Sequence, residues 1–314
     1  MRIVTLLLTA SAILASANAN AQLGSDQKIR IIAPFSAGGA VDQVTRIIAN
    51  NMPDGGAIVE NRTGAGGEIG VNAAAKATPD GRTLLLHTSS HVINPTIRGK
   101  AKEVADAFAP LAKVGAVKFV LVVRSDLPAK SLKELIALAK SGKNLTYGST
   151  GHATTLHIAG EMLNDAAGIK AVHVPYRGLN PAFTDILAGQ IDYIITSVTG
   201  VLPHVRAGKV RPLAVFESER AEQLPDVPTT TELGYPGLNI SNWYGIFTQA
   251  AVPEERRKEL ETILMNVIRS PKISEQLIAA GVTAPQNAAD FKKSVDADFA
   301  RWPKLLSGMS IKAD

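Results

Sequence analysis

The chain of 314 residues contains no cysteine. That absence excludes disulfide staples, thiolate nucleophiles and cysteine-ligated metals together. Compartments that permit disulfides do not demand them, because a chain this long buries enough apolar surface without them. A basic stripe is also missing: the formal net charge is +5, but the lysines and arginines are scattered, which argues against a nucleic-acid partner. The mild positive field either favours anionic solutes or serves solubility alone. There is no internal repeat, low-complexity tract or sustained heptad pattern. Beyond the N-terminal segment, no run reaches the length and uniform apolarity of a membrane span.

The N-terminus itself reads as an export signal. Met1 and Arg2 precede an apolar stretch from Ile3 to Leu14, and small residues follow, ending Ala19-Asn20-Ala21-Gln22. This is the order of charged region, apolar region and A-x-A site of a secretory signal peptide. The apolar stretch is too short to span a bilayer, which takes about 20 residues. The expectation is therefore a cleaved leader over 1–21, with a cut after Ala19 as the alternative. A buried N-terminal helix would need a polar face, and none interrupts Leu6 to Leu14. The remaining residues exceed what one hydrophobic core usually serves, so two lobes are expected.

Along the mature chain, Ile29 to Ala33, Thr83 to His87, Phe119 to Val123 and Val210 to Val215 are short apolar runs bounded by Gly, Pro or charge, and read as buried strands. Amphipathic stretches with helical spacing lie between and after them: Val41 to Asn51, Ser131 to Lys140, Leu156 to Asn164, Pro181 to Ala188, Arg256 to Ile268, Lys272 to Ala280 and Asp290 to Leu306. Alternation of strand and helix predicts an α/β fold of two lobes, each a mainly parallel sheet flanked by helices. Crossings between lobes are expected at Leu121 to Asp126 and between Leu224 and Trp243. That division gives 22–123 with 244–314 as the first lobe and 124–243 as the second.

Two segments carry the chemistry. In Ile31-Ile32-Ala33-Pro34-Phe35-Ser36-Ala37-Gly38-Gly39-Ala40-Val41-Asp42 a strand ends, small residues turn, and a helix begins. Helix N-termini carry unpartnered N–H groups and a positive dipole end, so such a turn holds an oxyanion without a basic side chain. Alone it reads equally as a tight turn with Asp42 as a first-turn acid. Leu145-Thr146-Tyr147-Gly148-Ser149-Thr150-Gly151-His152-Ala153-Thr154 repeats the plan. With one such turn per lobe, at the carboxyl ends of strands where α/β sheets bind ligands, the pair reads as two facing jaws.

The series Pro34-Phe35-x-Ala37-Gly38-Gly39-x-x-Asp42, Glu60-Asn61-Arg62-x-Gly64-Ala65-Gly66-Gly67, Pro79-Asp80-Gly81 and Ile93-Asn94-Pro95 resembles the tripartite tricarboxylate transporter receptors, the Bug family. So do Tyr147-x-Ser149-x-Gly151, His157-x-Ala159-Gly160-Glu161, His173-Val174-Pro175-Tyr176-x-Gly178, Leu224-Pro225-Asp226-Val227-Pro228-Thr229 and Trp243-Tyr244-Gly245. The resemblance implies a Venus-flytrap protein (type II) in the periplasm. Such a protein would be a monomer capturing a small organic carboxylate for membrane permease subunits of a tripartite carrier, or for a sensor kinase. It also implies a first jaw of Phe35, Ser36, Ala37, Gly38 and Gly39, with Asp42 beside it, and a second of Ser149, Thr150, Gly151, His152, Ala153 and Thr154. Ser89 and Ser90 would line the cleft from one lobe, Thr196 and Ser197 from the other. His152 stands where the family usually has a small or amide residue, and Thr196-Ser197 where Asp-Asn is frequent. Two roles stay open for His152: donor to the far end of a ligand, with pH-dependent affinity, or a capping or surface residue.

Catalysis finds little support. Gly148-Ser149-Thr150-Gly151 lacks the first glycine of a G-x-S-x-G elbow, where Tyr147 stands, which leaves a hydrolase built on the Ser149 loop as the weaker alternative. His87 and His91 have i,i+4 spacing, but they follow a strand and lack the H-E-x-x-H glutamate. Gly64-Ala65-Gly66 opens like a dinucleotide fingerprint, but Ile69 occupies the third glycine's place. Arg62 and Arg177, beside glycines, read as loop fixers before acid contacts. The expectation is a binding protein with no catalytic residue, metal or cofactor.

Overall fold

The computed structural model describes residues 28–240 and 242–307; the expected leader, 1–21, lies outside them. The strands are β1 (Arg30–Ala33), β2 (Ile58–Asn61), β3 (Thr83–Thr88), β4 (Phe108–Val117), β5 (Phe119–Arg124), β6 (Thr146–Ser149), β7 (Val172–Pro175), β8 (Tyr193–Ser197), β9 (Val210–Val215) and β10 (Asn242–Gln249), with short β11 (Val282–Thr283) and β12 (Gln286–Asn287). They form two sheets, ordered β11-β4-β10-β3-β1-β2 with β12 also on β4, and β7-β6-β8-β5-β9.

The helices are α1 (Ala40–Ala49), α2 (Glu68–Ala75), α3 (Ser90–Ile97), α4 (Ala101–Ala107), α5 (Leu132–Lys140), α6 (Thr155–Ala167), α7 (Leu179–Leu187), α8 (Val198–Arg206), α9 (Glu254–Arg269), α10 (Pro271–Ala279) and α11 (Ala288–Leu306). No described helix is long and apolar enough to cross a membrane.

Both faces of the central strands are covered. Ile31, Leu84, Leu86, Val120 and Val122 pack into one apolar cluster, while Ile32, Leu85, Phe119, Leu121 and Val123 pack into another. The two-residue alternation of side chains therefore reaches a core on either side. This is why these strands read as continuous apolar runs.

Two expectations are corrected. The sheets are mixed rather than mainly parallel: β1 pairs parallel with β2 and β3, and β6 with β7 and β8, but β10 and β4 in one sheet and β5 and β9 in the other pair antiparallel. Strands β5 and β10 arrive from the other lobe rather than over a helical crossover, so nothing obliges them to run parallel. The change of sheet also comes earlier than expected. Phe119–Arg124 belongs wholly to the second sheet, so the chain crosses at Lys118, between β4 and β5, not at Leu121 to Asp126. The return lies between β9 and β10.

Candidate functional site

In each lobe a central parallel strand and its neighbour end beside one another and each leads directly into a helix: β1 into α1, β3 into α3, β6 into α6, β8 into α8. The N-termini of these four helices meet around one recess of about 440 Å³ between the lobes. That is the place where open α/β sheets present ligand sites. From the first lobe come Phe35, Gly39, Ala40, Val41, Thr88 and Ser90, with Asn242 and Tyr244 of β10. From the second come Phe119, Thr150, Thr155, Leu156, Leu179, Thr196 and Ser197. None of these residues carries a formal charge.

The two turns close on themselves. In the first, the Gly38 N–H donates to Asp42 Oδ2 at 2.7 Å and the Gly39 N–H to the Ser36 carbonyl at 3.3 Å. Asp42 is buried, and it also accepts from Arg46 Nε at 2.8 Å and Asn61 Nδ2 at 2.9 Å. Burial opposes its charge, but the bonds from Arg46, Gly38 and Asn61 outweigh that and hold the carboxyl below its ordinary range. Asp42 thus fixes the turn. The free N–H groups belong to the following helical turn, at Ala40 and Val41, which have no intrahelical acceptor.

The second turn behaves alike. Ser149 Oγ donates to the Gly151 carbonyl at 3.0 Å and accepts the Gly151 N–H at 3.1 Å. The Ala153 N–H donates to His157 Nδ1 at 3.1 Å. Thr154 donates to the Gly151 carbonyl at 2.8 Å while its hydroxyl caps α6. Only Thr150 of this turn reaches the recess, joined by Thr155 and Leu156 of the first turn of α6.

Of the residues singled out from sequence, Phe35, Gly39, Ser90, Thr150, Thr196 and Ser197 line the recess. Ser36, Ala37, Gly38, Asp42, Ser89, Ser149, Gly151, His152, Ala153 and Thr154 surround it without forming its wall. Ser89 hydrogen-bonds Asn242 through both its hydroxyl and its N–H. Sequence reasoning passed over Ala40, Val41, Thr88, Phe119, Thr155, Leu156, Leu179, Asn242 and Tyr244. A signal existed for Ala40, Val41, Thr155 and Leu156, since the N–H groups without an intrahelical acceptor belong to the first helical turn rather than the loop before it. Asn242 and Tyr244 carry no local signal.

The lobes are in contact around the recess. The Thr155 N–H donates to Ser90 Oγ at 3.1 Å, and Asn180 Nδ2 donates to the Ala37 carbonyl at 2.7 Å. Gly66, at φ +63°, presses so closely on the second turn that a Cβ there would lie 2.6 Å from the His152 carbonyl oxygen. Within the walls, Thr196 Oγ1 is buried with no protein partner. Burial pushes the Tyr244 phenol up to about 12, so it stays protonated and able to donate.

Ser149 lies 2.6 Å from His173 Nε2, a nucleophile-and-base pairing in outline. Neither residue lines the recess, and His173 Nδ1 has no partner to orient the ring as a base.

Residues 37–311 match the model of the tripartite tricarboxylate transporter family receptor. Protein BugT of Bordetella pertussis is 31% identical over 327 residues, covering 99% of each chain. MatC from Rhodopseudomonas palustris, solved with bound malate, superposes with a TM-score of 0.85 at 27% identity, covering 90% of this chain and 99% of its own. A second R. palustris protein, with adipate, gives 0.86 at 28%, covering 91% and 98%. The four converging helices and two-sheet architecture are thus the frame of a known class of receptors, not of enzymes, and this chain belongs to the tripartite tricarboxylate transporter receptor family.

Proposed function

We propose that this protein captures a small organic carboxylate between its lobes and delivers it to the permease subunits of a tripartite carrier. The observation that carries this reading is the convergence of four helix N-termini, two from each lobe, on a recess with no charged wall residue. Such N-termini present N–H donors and positive dipole ends, and favour an anion without a salt bridge. The hydroxyls of Ser90, Thr150, Thr155, Thr196 and Tyr244 are the neutral donors available to complete its shell. The malate and adipate held by the two related proteins point to acids of this size.

Capture works by closure. A carboxylate touching Ala40 and Val41 from one lobe and Thr155 and Leu156 from the other gains its full set of donors only when the lobes meet, so binding favours the closed state. The closed surface is what the permease would read. On this reading the chain is exported by the leader over 1–21 and works as a periplasmic monomer.

A thermal-shift series tests the proposal, because a ligand of the folded state raises apparent stability. Malate, adipate and related mono- and dicarboxylates are compared with their neutral amides. A rise with at least one acid and none with its amide is expected. Equal shifts by acids and amides, or no shift by any acid, would overturn the reading.

A further inference from the structure

Away from the recess wall, the second lobe gathers three of the chain's six histidines. His152 lies in the turn after β6, His157 in the first turn of α6, and His173 on β7, set beside Tyr147 by the parallel register of β6 and β7. One ring nitrogen of each lies within 4.8 Å of the other two. The rings of His157 and His173 stack at 3.9 Å, and the His152 ring stands edge-on to both.

Ser149 anchors the His173 ring: its hydroxyl lies 2.6 Å from His173 Nε2 and is itself held by the Gly151 N–H and carbonyl. The other ring nitrogen, Nδ1, is buried with no protein partner. One ring nitrogen held by an oxygen while the other is left without a partner is the arrangement of a metal-binding histidine.

We propose that His152, His157 and His173 form a binding site for a divalent transition cation that prefers imidazole, zinc or copper in character. Three neutral nitrogen ligands with no carboxylate suit these ions and not magnesium or calcium. Tetrahedral zinc needs nitrogens about 3.3 Å apart, so binding draws the rings inward and tilts the stacked pair. An ion taken by His157 Nδ1 would displace the Ala153 N–H from that nitrogen. Ala153, a non-glycine residue held at φ 56°, belongs to the same turn and is released by that exchange. The inference does not depend on which solute fills the recess. Sequence alone offered no metal motif because the three residues come from three segments.

The test is equilibrium dialysis of the untagged full-length protein against zinc chloride, with the His152→Phe and His173→Phe variants alongside. One equivalent bound by the wild type, with affinity at least thirtyfold weaker in both variants, is expected. Loading with copper and counting coordinated nitrogens by electron paramagnetic resonance covers the case in which His173→Phe does not fold: three nitrogens support the site. No stoichiometric zinc binding, binding unchanged in His152→Phe, or fewer than two nitrogens on copper would overturn it.

Discussion

Ser90 of the first lobe accepts a hydrogen bond from the backbone N–H of Thr155 in the second, at 3.1 Å, and its hydroxyl also lies 3.1 Å from that of Thr155. A side chain from one sheet thus caps the helix of the other. Removing it with Ser90→Ala takes away an inter-lobe bond of about 1 kcal/mol, so the carboxylate Kd should rise about five- to tenfold. Titration calorimetry with the acid found by thermal shift measures this, and an unchanged Kd would show that Ser90 does not hold the closed state.

Thr196 Oγ1 is wholly buried and unpartnered. An unsatisfied buried hydroxyl is destabilising, and exchange for a methyl removes that cost. Thr196→Val is therefore expected to raise the stability of the ligand-free protein by up to about 1 kcal/mol while weakening solute binding severalfold. Urea unfolding and calorimetry together read both effects. A variant that is less stable and binds as well would refute the role.

Gly178 leads into α7, and a Cβ there would lie 2.1 Å from Ser36 Oγ and 2.7 Å from the Ser36 backbone nitrogen, across the lobe boundary. The clash exists only when the lobes meet. Gly178→Ala should cut solute affinity by tenfold or more with little change in the ligand-free melting temperature. Small-angle scattering should show the variant remaining extended when wild type contracts on adding ligand; contraction in both would dismiss the wedge.

His87 is buried between Phe35, Gly67 and His91, and desolvation lowers its pKa to about 3. Because the unfolded chain titrates near 6.5, it binds the extra proton between these values, and stability falls as pH drops through that window. At pH 5 the contribution of His87 is about 2 kcal/mol. Comparing urea midpoints at pH 7.5 and 5.0, His87→Gln should lose less stability than wild type; equal losses would exclude His87 as the source.

The legible part of this fold was local. Val210 to Val215 and Leu132 to Lys140 announce themselves by run length, periodicity and boundary residues, and observed elements match within a residue or two. Strand β4 did not, because Pro110, Lys113 and Gly115 interrupt its pattern and its buried positions follow no two-residue alternation. It pairs with β10 through two register shifts, which smear the signal further. Phe119 to Val123 was recognised as a strand but assigned to the wrong sheet, since its apolar residues would suit either core. Of the site, the turns were visible and the walls were not. Tyr244 reaches the recess only through pairing of β10 with β3, more than 150 residues away in sequence, and the histidine trio required the β6–β7 register.

The absence of charged residues from the recess wall has a consequence for the setting in which such a receptor works. Salt bridges at a binding site weaken as ionic strength rises, because mobile ions screen exposed charges over about 10 Å at 0.1 M. Here the anion would meet only buried hydroxyls, amides and helix termini, which mobile ions do not reach once the lobes have met. Its capture should change little between dilute and briny surroundings.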